Sequence, residues 1–336
     1  SDTVLIPLKQ DRLSLLLAIL CGIVKKKTVC LYTSNTAFIE QTSDSIALVI
    51  GTSGSQAEPK IIHISWKNIV SHCQSFVKII PVDAASIWLN CMPLNHIAGV
   101  MIIYRCWFNQ ASMILHNSFN EKKVWQDIND CAVSHISLVP RMLFKLLELS
   151  QNCSLPASLK YVLVGGDSLS ESLYQRAISA GWPIYISYGM TEASSTIAIG
   201  RSPDKLKILD GFTVSLTDKN VLKIKGNMVA HETGWFITHD RVRLNNNHLS
   251  IIGRNDYMII AGGKNIAPQS IESLLLSIPD ASDFFSDIAI GTIKHPNWGD
   301  TIAAVFCGRS KKNLDSWINK NIAAAYRPRH FIRVAE

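Results

Sequence analysis

Residues 159–192, LKYVLVGGDSLSESLYQRAISAGWPIYISYGMTE, contain two apolar runs separated by a segment with helical spacing. Leu159–Val164 ends at Gly165–Gly166, which predicts a buried strand followed by a turn. Ser170–Ala180 predicts a helix, and Pro183–Ser187 predicts a second strand. A strand, a glycine turn, a helix and another strand are typical of an α/β sheet that binds ligands at its strand ends.

The same alternation extends towards the N-terminus. It predicts strands and helices at Ser45–Ile50, Trp66–Ile79, Ile87–Met92, Ile136–Val139 and Arg141–Leu149. After Gly200 the pattern changes to short strand candidates between Asp, Lys, Asn and Gly turns, which predicts a small β-rich subdomain. Its strands are predicted at Phe212–Leu216, Val221–Lys225, Trp235–Thr238, Arg241–Leu244 and Leu249–Ile252.

From Met258 onward the sequence predicts a compact α+β unit with helices at Gln269–Ser277 and Leu314–Ala325. The predicted boundary lies near Arg254–Tyr257. We therefore expect an α/β protein with a large N-terminal α/β domain, residues 1–253, and a small α+β C-terminal domain, residues 254–336.

Composition and charge limit the classes of partner. The chain has 336 residues, of which 47% are hydrophobic and 18% charged, with a net charge of +7. That charge suits anionic ligands such as ATP or coenzyme A, or is spread over the surface without a specific role. The sequence contains no long basic block, so it gives no indication of a nucleic-acid partner. Leu15–Val24 is shorter than the roughly 20 residues that a membrane span needs, so we expect a buried helix.

The eight cysteines form no CxxC pair, and Cys73, Cys91, Cys106 and Cys131 lie in apolar stretches. We therefore expect four small core residues in a reducing, cytoplasmic environment.

Gly51–Lys60, GTSGSQAEPK, follows directly on the first long predicted strand. Its small residues let backbone N–H groups approach phosphate oxygens, and its side chains add further donors at Thr52, Ser53, Ser55 and Lys60. It lacks the GxxxxGK[ST] pattern of a Walker loop. A tight turn without a ligand is the alternative interpretation.

Two later segments supply acidic groups. Ser187–Glu192, SYGMTE, offers the ring of Tyr188 to a purine, and Thr191 and Glu192 have the oxygen ligands that Mg²⁺ prefers. A helix cap formed by Thr191 or Glu192 is the alternative. Gly234–Asp240, GWFITHD, ends in a carboxylate that suits the two hydroxyls of a ribose, or that stabilises a turn at the end of a strand.

These segments occur in a fixed order with Pro93-Leu94-Asn95-His96 and with Gly253–Ile266, GRNDYMIIAGGKNI. In this order the chain resembles the adenylate-forming superfamily of acyl-CoA synthetases, adenylation domains and luciferases. Within that superfamily, Ser134–Leu143 and Tyr161–Gly166 look most like o-succinylbenzoate–CoA ligases of menaquinone biosynthesis. The resemblance implies that the C-terminal domain is a lid.

The resemblance also implies residues for ATP and Mg²⁺. For the β- and γ-phosphates it implies Thr52, Ser53, Gly54, Ser55 and Lys60. For adenine and ribose it implies Gly165, Gly166, Tyr188, Asp240 and Arg254. Thr191 would contact the α-phosphate, and Glu192 would hold Mg²⁺.

Further residues are implied for the acid, for coenzyme A and for lid movement. His96 would lie beside the acyl pocket as a third catalytic candidate, with a satisfied core histidine as the alternative. Asp256 would be the hinge, and Gly262 and Gly263 would line the pantetheine channel.

Several positions depart from the family pattern. Gln56 and Ala57 stand where the family has Thr and Gly, Ile61 replaces a Gly, and His239 replaces the Gly of Thr-Gly-Asp. Lost glycines restrict a loop that must approach phosphate closely. The family's lid also ends in a lysine that contacts the forming acyl-adenylate, and Lys264 lies elsewhere. We therefore expect a lid truncated before that lysine and a shortened N-terminal side, with a trimmed terminus and a real loss as the alternatives. If the lysine is truly absent, we expect a slow first half-reaction.

The favoured function is that of an AMP-forming acid–CoA ligase that activates a carboxylic acid, with o-succinylbenzoate as the candidate, and transfers it to coenzyme A. One alternative is an adenylation enzyme that loads a carrier protein. Another is a degenerate, non-catalytic relative that binds nucleotide. None of the three needs a membrane or a nucleic acid.

Overall fold

The computed structural model describes residues 4–5, 11–31, 45–52, 60–151, 153–230, 234–255, 259–261, 264–266, 268–278, 280–295, 299–308 and 314–334. The first layer is a sheet with strand order β1-β2-β3-β4. Its strands and its helix are β1 (Val4–Leu5), α1 (Arg12–Lys25), β2 (Thr28–Cys30), β3 (Ile46–Thr52) and β4 (Lys60–Ser65). β3 and β4 are antiparallel, and their register places Thr52 opposite Lys60. Both ends of the predicted phosphate segment therefore meet at one edge of this sheet.

A larger sheet of eleven strands has the order β12-β13-β14-β15-β11-β10-β9-β8-β7-β5-β6. Its parallel half, β6 to β9, confirms the α/β prediction. The elements of this half are α2 (Trp66–Phe76), β5 (Ile87–Asn90), α3 (Ile97–Phe108), β6 (Ser112–Leu115), α4 (Glu121–Asp130), β7 (His135–Leu138), α5 (Pro140–Leu149), β8 (Tyr161–Gly165), α6 (Glu171–Ser179) and β9 (Ile184–Met190).

Antiparallel strands continue this sheet beyond β9, so the β-rich region shares one sheet with the α/β region. They are β10 (Ser195–Gly200), β11 (Leu206–Ile208), β12 (Phe212–Leu216), β13 (Val221–Gly226), β14 (Phe236–Asn245) and β15 (His248–Arg254). The prediction of separate strands at Trp235–Thr238 and Arg241–Leu244 was wrong. Asp240 and Arg241 pair with Arg254 and Gly253 of β15, so backbone hydrogen bonding runs through the polar residues that resembled a turn.

The C-terminal part combines a hairpin with a three-stranded sheet of order β18-β19-β20. Its elements are β16 (Ile259–Ala261), β17 (Lys264–Ile266), α7 (Pro268–Ser277), β18 (Asp287–His295), β19 (Gly299–Cys307), α8 (Leu314–Asn321) and β20 (His330–Arg333). The predicted helix at Leu314–Ala325 is shorter than expected, because Ala324–Tyr326 forms a separate 3-10 turn.

The buried side chains form separate clusters. Those of the large part lie between Leu15 and Leu249, and those of the C-terminal part lie between Ile266 and Ile322. Among the residues that the structure describes, no helix is long and apolar enough to cross a membrane.

Three of the four cysteines expected in the core are buried there. Burial raises the pKa of Cys73, Cys91 and Cys106 to about 12, which keeps these thiols protonated. Cys131 is exposed, contrary to expectation, because it follows the last turn of α4 at the surface.

Candidate nucleotide and acid site

Tyr188 and Asp240 form a hydrogen-bonded pair between β9 and β14. The Tyr188 hydroxyl donates to Asp240 Oδ2 at 2.7 Å, and only 8% of Tyr188 is exposed. Burial, followed by the charge of Asp240, raises the pKa of Tyr188 well above its ordinary value, so the phenol stays protonated and orients the carboxylate. Arg254 lies directly across from Asp240 on β15. The alternative of a strand-end turn for Asp240 was wrong, since this residue lies inside β14.

The Gly165–Gly166 turn lies at the end of β8, beside the strand that carries Tyr188. Gly165 pairs with Ser187, and a Cβ at Gly165 would approach the Ser187 carbonyl oxygen to 2.5 Å. Gly166 has a φ of +83°, which side-chain-bearing residues rarely adopt. Both glycines are therefore required by local geometry, next to the strand residue predicted to contact adenine.

Lys60 and Glu192 bring the end of the phosphate segment to the candidate Mg²⁺ ligand. Lys60 Nζ lies 3.7 Å from Glu192 Oε1, and the Glu192 side chain is 18% exposed. The Lys60 ammonium also lies 5.4 Å from the centre of the Phe236 ring. Thr191 and Glu192 belong to a 3-10 turn without a side-chain cap hydrogen bond, so the helix-cap alternative was wrong.

A strained connection from β9 to β10 holds this turn. Ser194 and Ser195 have φ values of +54° and +101°, and a Cβ at Gly189 would lie 1.7 Å from the Ser195 carbonyl oxygen. The Ser194 hydroxyl donates to the Met228 carbonyl at 2.8 Å, and the Ala230 N–H donates to the Glu192 carbonyl at 2.7 Å. Backbone strain of this kind persists only where surrounding contacts impose it.

His96 lies at the N-cap position of α3 and makes no side-chain cap hydrogen bond there. It is exposed, so the alternative of a satisfied core histidine was wrong. Its imidazole is accessible to solvent after the Pro93-Leu94-Asn95 turn.

Several predicted residues fall outside the described residues: Ser53, Gly54, Ser55, Gln56, Ala57, Asp256, Gly262 and Gly263. For Thr52 only the backbone pairing with Lys60 is described. The roles implied for all of these residues stay predictions.

Arg105 is a buried charge that the sequence analysis missed. It is 3% exposed, and its Nη2 lies 2.8 Å from His72 Nε2, 3.3 Å from Ser195 Oγ and 3.2 Å from Thr196 Oγ1. Its guanidinium carbon lies 3.8 Å from the centre of the Phe76 ring. Burial lowers the pKa of Arg105 to about 10, which leaves it charged at neutral pH.

The described hydrogen bonds of Arg105 all join neutral groups. A buried charge without an opposite charge is costly, which makes this guanidinium suited to a carboxylate ligand. The signal in the sequence was a single charged residue within the otherwise apolar segment IAGVMIIYRCWF, residues 97–108.

No group of three or more His, Cys, Asp or Glu side chains in the described ranges is arranged to hold a metal ion. Glu192 nevertheless fits a nucleotide-bound Mg²⁺, because this ion is commonly held by one or two carboxylates together with substrate phosphates and water.

Oxygen-bearing side chains and glycine turns at the ends of parallel strands are typical of nucleotide-binding α/β proteins. The chain belongs to the AMP-binding enzyme family, which it matches over residues 11–236. This confirms the resemblance to adenylate-forming enzymes at the level of the family.

A relative and two solved structures that are similar to this chain are named as succinylbenzoate–CoA ligases or synthetases. The 2-succinylbenzoate–CoA ligase of Staphylococcus aureus strain JH9 is 28% identical over 89% of this chain, and the chain spans 65% of the length of that relative. The o-succinylbenzoate coenzyme A synthetase of Bacillus subtilis has been solved with its acyl-adenylate intermediate (TM-score 0.78, 25% identity, 87% of this chain and 66% of that one). The same synthetase has been solved with ATP and magnesium ion (TM-score 0.77, 25% identity, 87% and 67%).

Proposed function

We propose that this protein is an AMP-forming acid–CoA ligase. The observation that carries the proposal is the Lys60–Glu192 pair, which joins the phosphate segment of β4 to the turn after β9 at 3.7 Å. The relatives named as 2-succinylbenzoate–CoA ligases support it. Thr191 and Glu192 as catalytic residues, with ATP, Mg²⁺ and coenzyme A as ligands, are part of this proposal.

In the first step, a carboxylate oxygen of the acid attacks the α-phosphorus of ATP. The bond from that phosphorus to the bridging oxygen breaks, and pyrophosphate leaves. In the second step, the thiolate of coenzyme A attacks the acyl carbon and AMP leaves. Most of the protein's contribution is positioning and charge stabilisation.

The chain's own residues divide that work. Asp240, oriented by Tyr188, would accept hydrogen bonds from the ribose hydroxyls, and Arg254 would lie beside it. Lys60 would stabilise negative charge on the phosphates, while Thr191 would donate to the α-phosphate. Mg²⁺, when bound to Glu192, supplies charge neutralisation for the same phosphates.

We propose o-succinylbenzoate, an acid with two carboxylates, as the substrate. Arg105 would bind the carboxylate that does not react, because its hydrogen-bond partners among the described residues are neutral. Arg141, another arginine whose charge suits a carboxylate, is exposed at the start of α5. Coenzyme A is the acceptor in the names of the relatives, which favours it over a carrier protein.

The test is ATP–pyrophosphate exchange by the full-length gene product with o-succinylbenzoate, benzoate and succinate, followed by thioester formation with coenzyme A. We expect exchange with o-succinylbenzoate only, and its loss in Asp240→Asn. Exchange with none of the acids, together with calorimetric ATP binding, would instead identify a non-catalytic nucleotide-binding relative.

A further inference from the structure

Arg12, the first residue of α1, makes a long-range contact with the end of β5. Its Nη2 donates to the Asn90 carbonyl oxygen at 3.0 Å and lies 3.4 Å from Asn90 Oδ1. Asn90 is fully buried. Helix α1 is therefore hydrogen-bonded to the last residue of β5, six residues before His96 in the sequence.

Asn90 connects both ends of the following turn. Its Nδ2 donates to the Gly99 carbonyl at 3.0 Å, and its Oδ1 accepts from the Met92 N–H at 3.1 Å. Since an asparagine amide offers donors and an acceptor on one rigid plane, no other neutral residue of this size makes both bonds. Residues 93–98, which include His96, lie between the two anchored residues Met92 and Gly99 and are held at both ends.

The turn itself is tightly packed. A Cβ at Gly99 would lie 2.2 Å from the Pro93 carbonyl oxygen. The His96 N–H donates to the Pro93 carbonyl at 3.2 Å, and the Val100 N–H donates to the His96 carbonyl at 3.1 Å. The backbone of His96 is thus fixed relative to Asn90 on both sides, while its imidazole is exposed.

We propose that Asn90, held in place by Arg12, is the positioning residue for His96. This inference rests on the proposed function and on the role that the family resemblance implies for His96, beside the acyl pocket. Asn90 acts on the acid through the direction of the His96 side chain, and Arg12 acts by fixing Asn90. Helix α1 thereby helps to position the residues of the acid site.

The test uses Asn90→Ala, Arg12→Met and Arg12→Lys, each alone and combined with His96→Ala. Misplacing a positioning group by about 1 Å can cost on the order of 100-fold, so we expect Asn90→Ala to raise the KM for the acid by about 10- to 100-fold. The KM for ATP should stay nearly unchanged. Arg12→Met should have a smaller effect in the same direction, and Arg12→Lys should restore part of it.

Coupling decides between positioning and general destabilisation. In the His96→Ala background, Asn90→Ala should have no further effect on the KM for the acid, because the group that it positions is gone. Ile224→Ala, which removes a buried side chain of β13 near the opposite edge of the eleven-stranded sheet, is the control that should lower the melting temperature without changing that KM. Full additivity of Asn90→Ala and His96→Ala would overturn the proposal.

A second readout does not depend on activity. In proteins labelled with ¹⁵N at histidine, Asn90→Ala should shift or broaden the ring signals of His96 and leave those of exposed His330 unchanged. Unchanged His96 signals would overturn the positioning role even if no acid were activated. Shifted His96 signals without pyrophosphate exchange would support the positioning role and contradict the proposed function.

Discussion

Glu192 has a partner whose loss costs little in stability. The Lys60 side chain of the pair is 60% exposed, and exposed pairs contribute only about 0–1 kcal/mol to the free energy of unfolding. We therefore expect Glu192→Gln to leave the melting temperature nearly unchanged while it lowers Mg²⁺-dependent pyrophosphate exchange by about 100-fold, because a preorganised charge at the phosphates is lost. Lys78→Gln, which removes an exposed pair with Asp210, is the matched control and should change neither quantity. A large fall in melting temperature for Glu192→Gln would indicate a structural role.

Arg105, unlike Glu192, is buried, and its replacement should affect both stability and the binding of the acid. Replacing Arg105 removes the cost of a buried charge but leaves His72, Ser195 and Thr196 without this partner, and an unsatisfied buried group costs about 1–3 kcal/mol. A hydrogen bond to a charged group contributes about 1.5–3 kcal/mol, so we expect Arg105→Met to raise the KM for o-succinylbenzoate by about 10- to 100-fold and also to lower the free energy of unfolding. Arg141→Met, at the exposed start of α5, is the control and should keep the KM of the wild type. Equal KM values in both variants would exclude Arg105 from the acid site.

His135 links burial to pH. Its ring lies between Trp88 and Tyr161, with centroid distances of 5.1 and 4.7 Å, and its Nε2 lies 2.8 Å from the Pro81 carbonyl oxygen. Because that oxygen only accepts, Nε2 carries the proton, and Nδ1 accepts from Ser134 Oγ at 2.7 Å. Burial is the largest cause that lowers the pKa of His135 to about 4, followed by the Pro81 hydrogen bond and Asp83, which raise it, and by Lys160, which lowers it.

A folded-state pKa below the unfolded value of about 6.5 means that the folded state favours the neutral ring. Its stabilising contribution is complete above that unfolded pKa and is lost as the pH falls towards 4, by on the order of 3 kcal/mol at most. We expect His135→Gln to flatten the fall of the urea-unfolding free energy between about pH 7 and about pH 4.5. Buried His72 leaves part of that slope in place, because its pKa is also lowered by burial and by Arg105. Exposed His330→Gln should retain the wild-type slope, and an equal change there would contradict the assignment.

At the scale of elements, the connection from β9 to β10 contains Thr191 and Glu192, and it packs closely against Gly189 of β9. A Cβ at position 189 would lie 1.7 Å from the Ser195 carbonyl oxygen, so the backbone must move to accept it. Overpacking typically costs about 1–3 kcal/mol, and we expect Gly189→Ala to lower the free energy of unfolding by that amount and to reduce pyrophosphate exchange. Gly291→Ala on β18 has no neighbour within 4 Å of its new methyl group and should be close to neutral. A Gly189→Ala variant as stable as Gly291→Ala would show that the junction tolerates a side chain.

Part of this fold could be predicted from the sequence, and part of it depends on contacts between distant residues. Apolar periodicity and turn residues predicted β3, α2, β5, β7, α5, β8, α6 and β9, but gave no prediction for β4, α3, β6, α4 and β10. They did not predict the continuity of β14, since His239 and Asp240 look like turn residues until β15 is placed beside them. The positive φ values at Ser194 and Ser195 have no signal in residue type either, because serine rarely adopts them without tertiary contacts.

For the candidate site the limit is similar. Motif order predicted which segments converge, and Lys60 and Glu192 do meet. The contacts of Arg105 with Ser195 and Thr196 join residues some 90 positions apart, which a single sequence cannot pair. Tyr188 was predicted to contact a purine, but its bond to Asp240 depends on strand order, which the sequence left open.

At the scale of the whole molecule, the two parts of the chain have separate cores. The buried cluster of the C-terminal part contains only residues from Ile266 to Ile322, and the other clusters extend no further than Leu249. A unit with its own core can in principle fold alone. We therefore expect a chain ending after Asn255 to unfold cooperatively and to bind ATP, but to form no thioester with coenzyme A, because the predicted lid is absent.

Circular dichroism during urea unfolding measures the cooperativity of unfolding. Calorimetry measures ATP binding, and a thioester assay measures transfer to coenzyme A. A chain ending at Gly200 is the control, because it removes Leu222, Ile224 and Leu249 from the main cluster and should not fold. If the chain ending after Asn255 is also unfolded, the large part depends on the lid for stability, and the predicted boundary near residue 254 is wrong. If it folds and still forms the thioester, the acceptor channel lies within the large part, and the roles implied for Gly262 and Gly263 fail while the adenylation site stands.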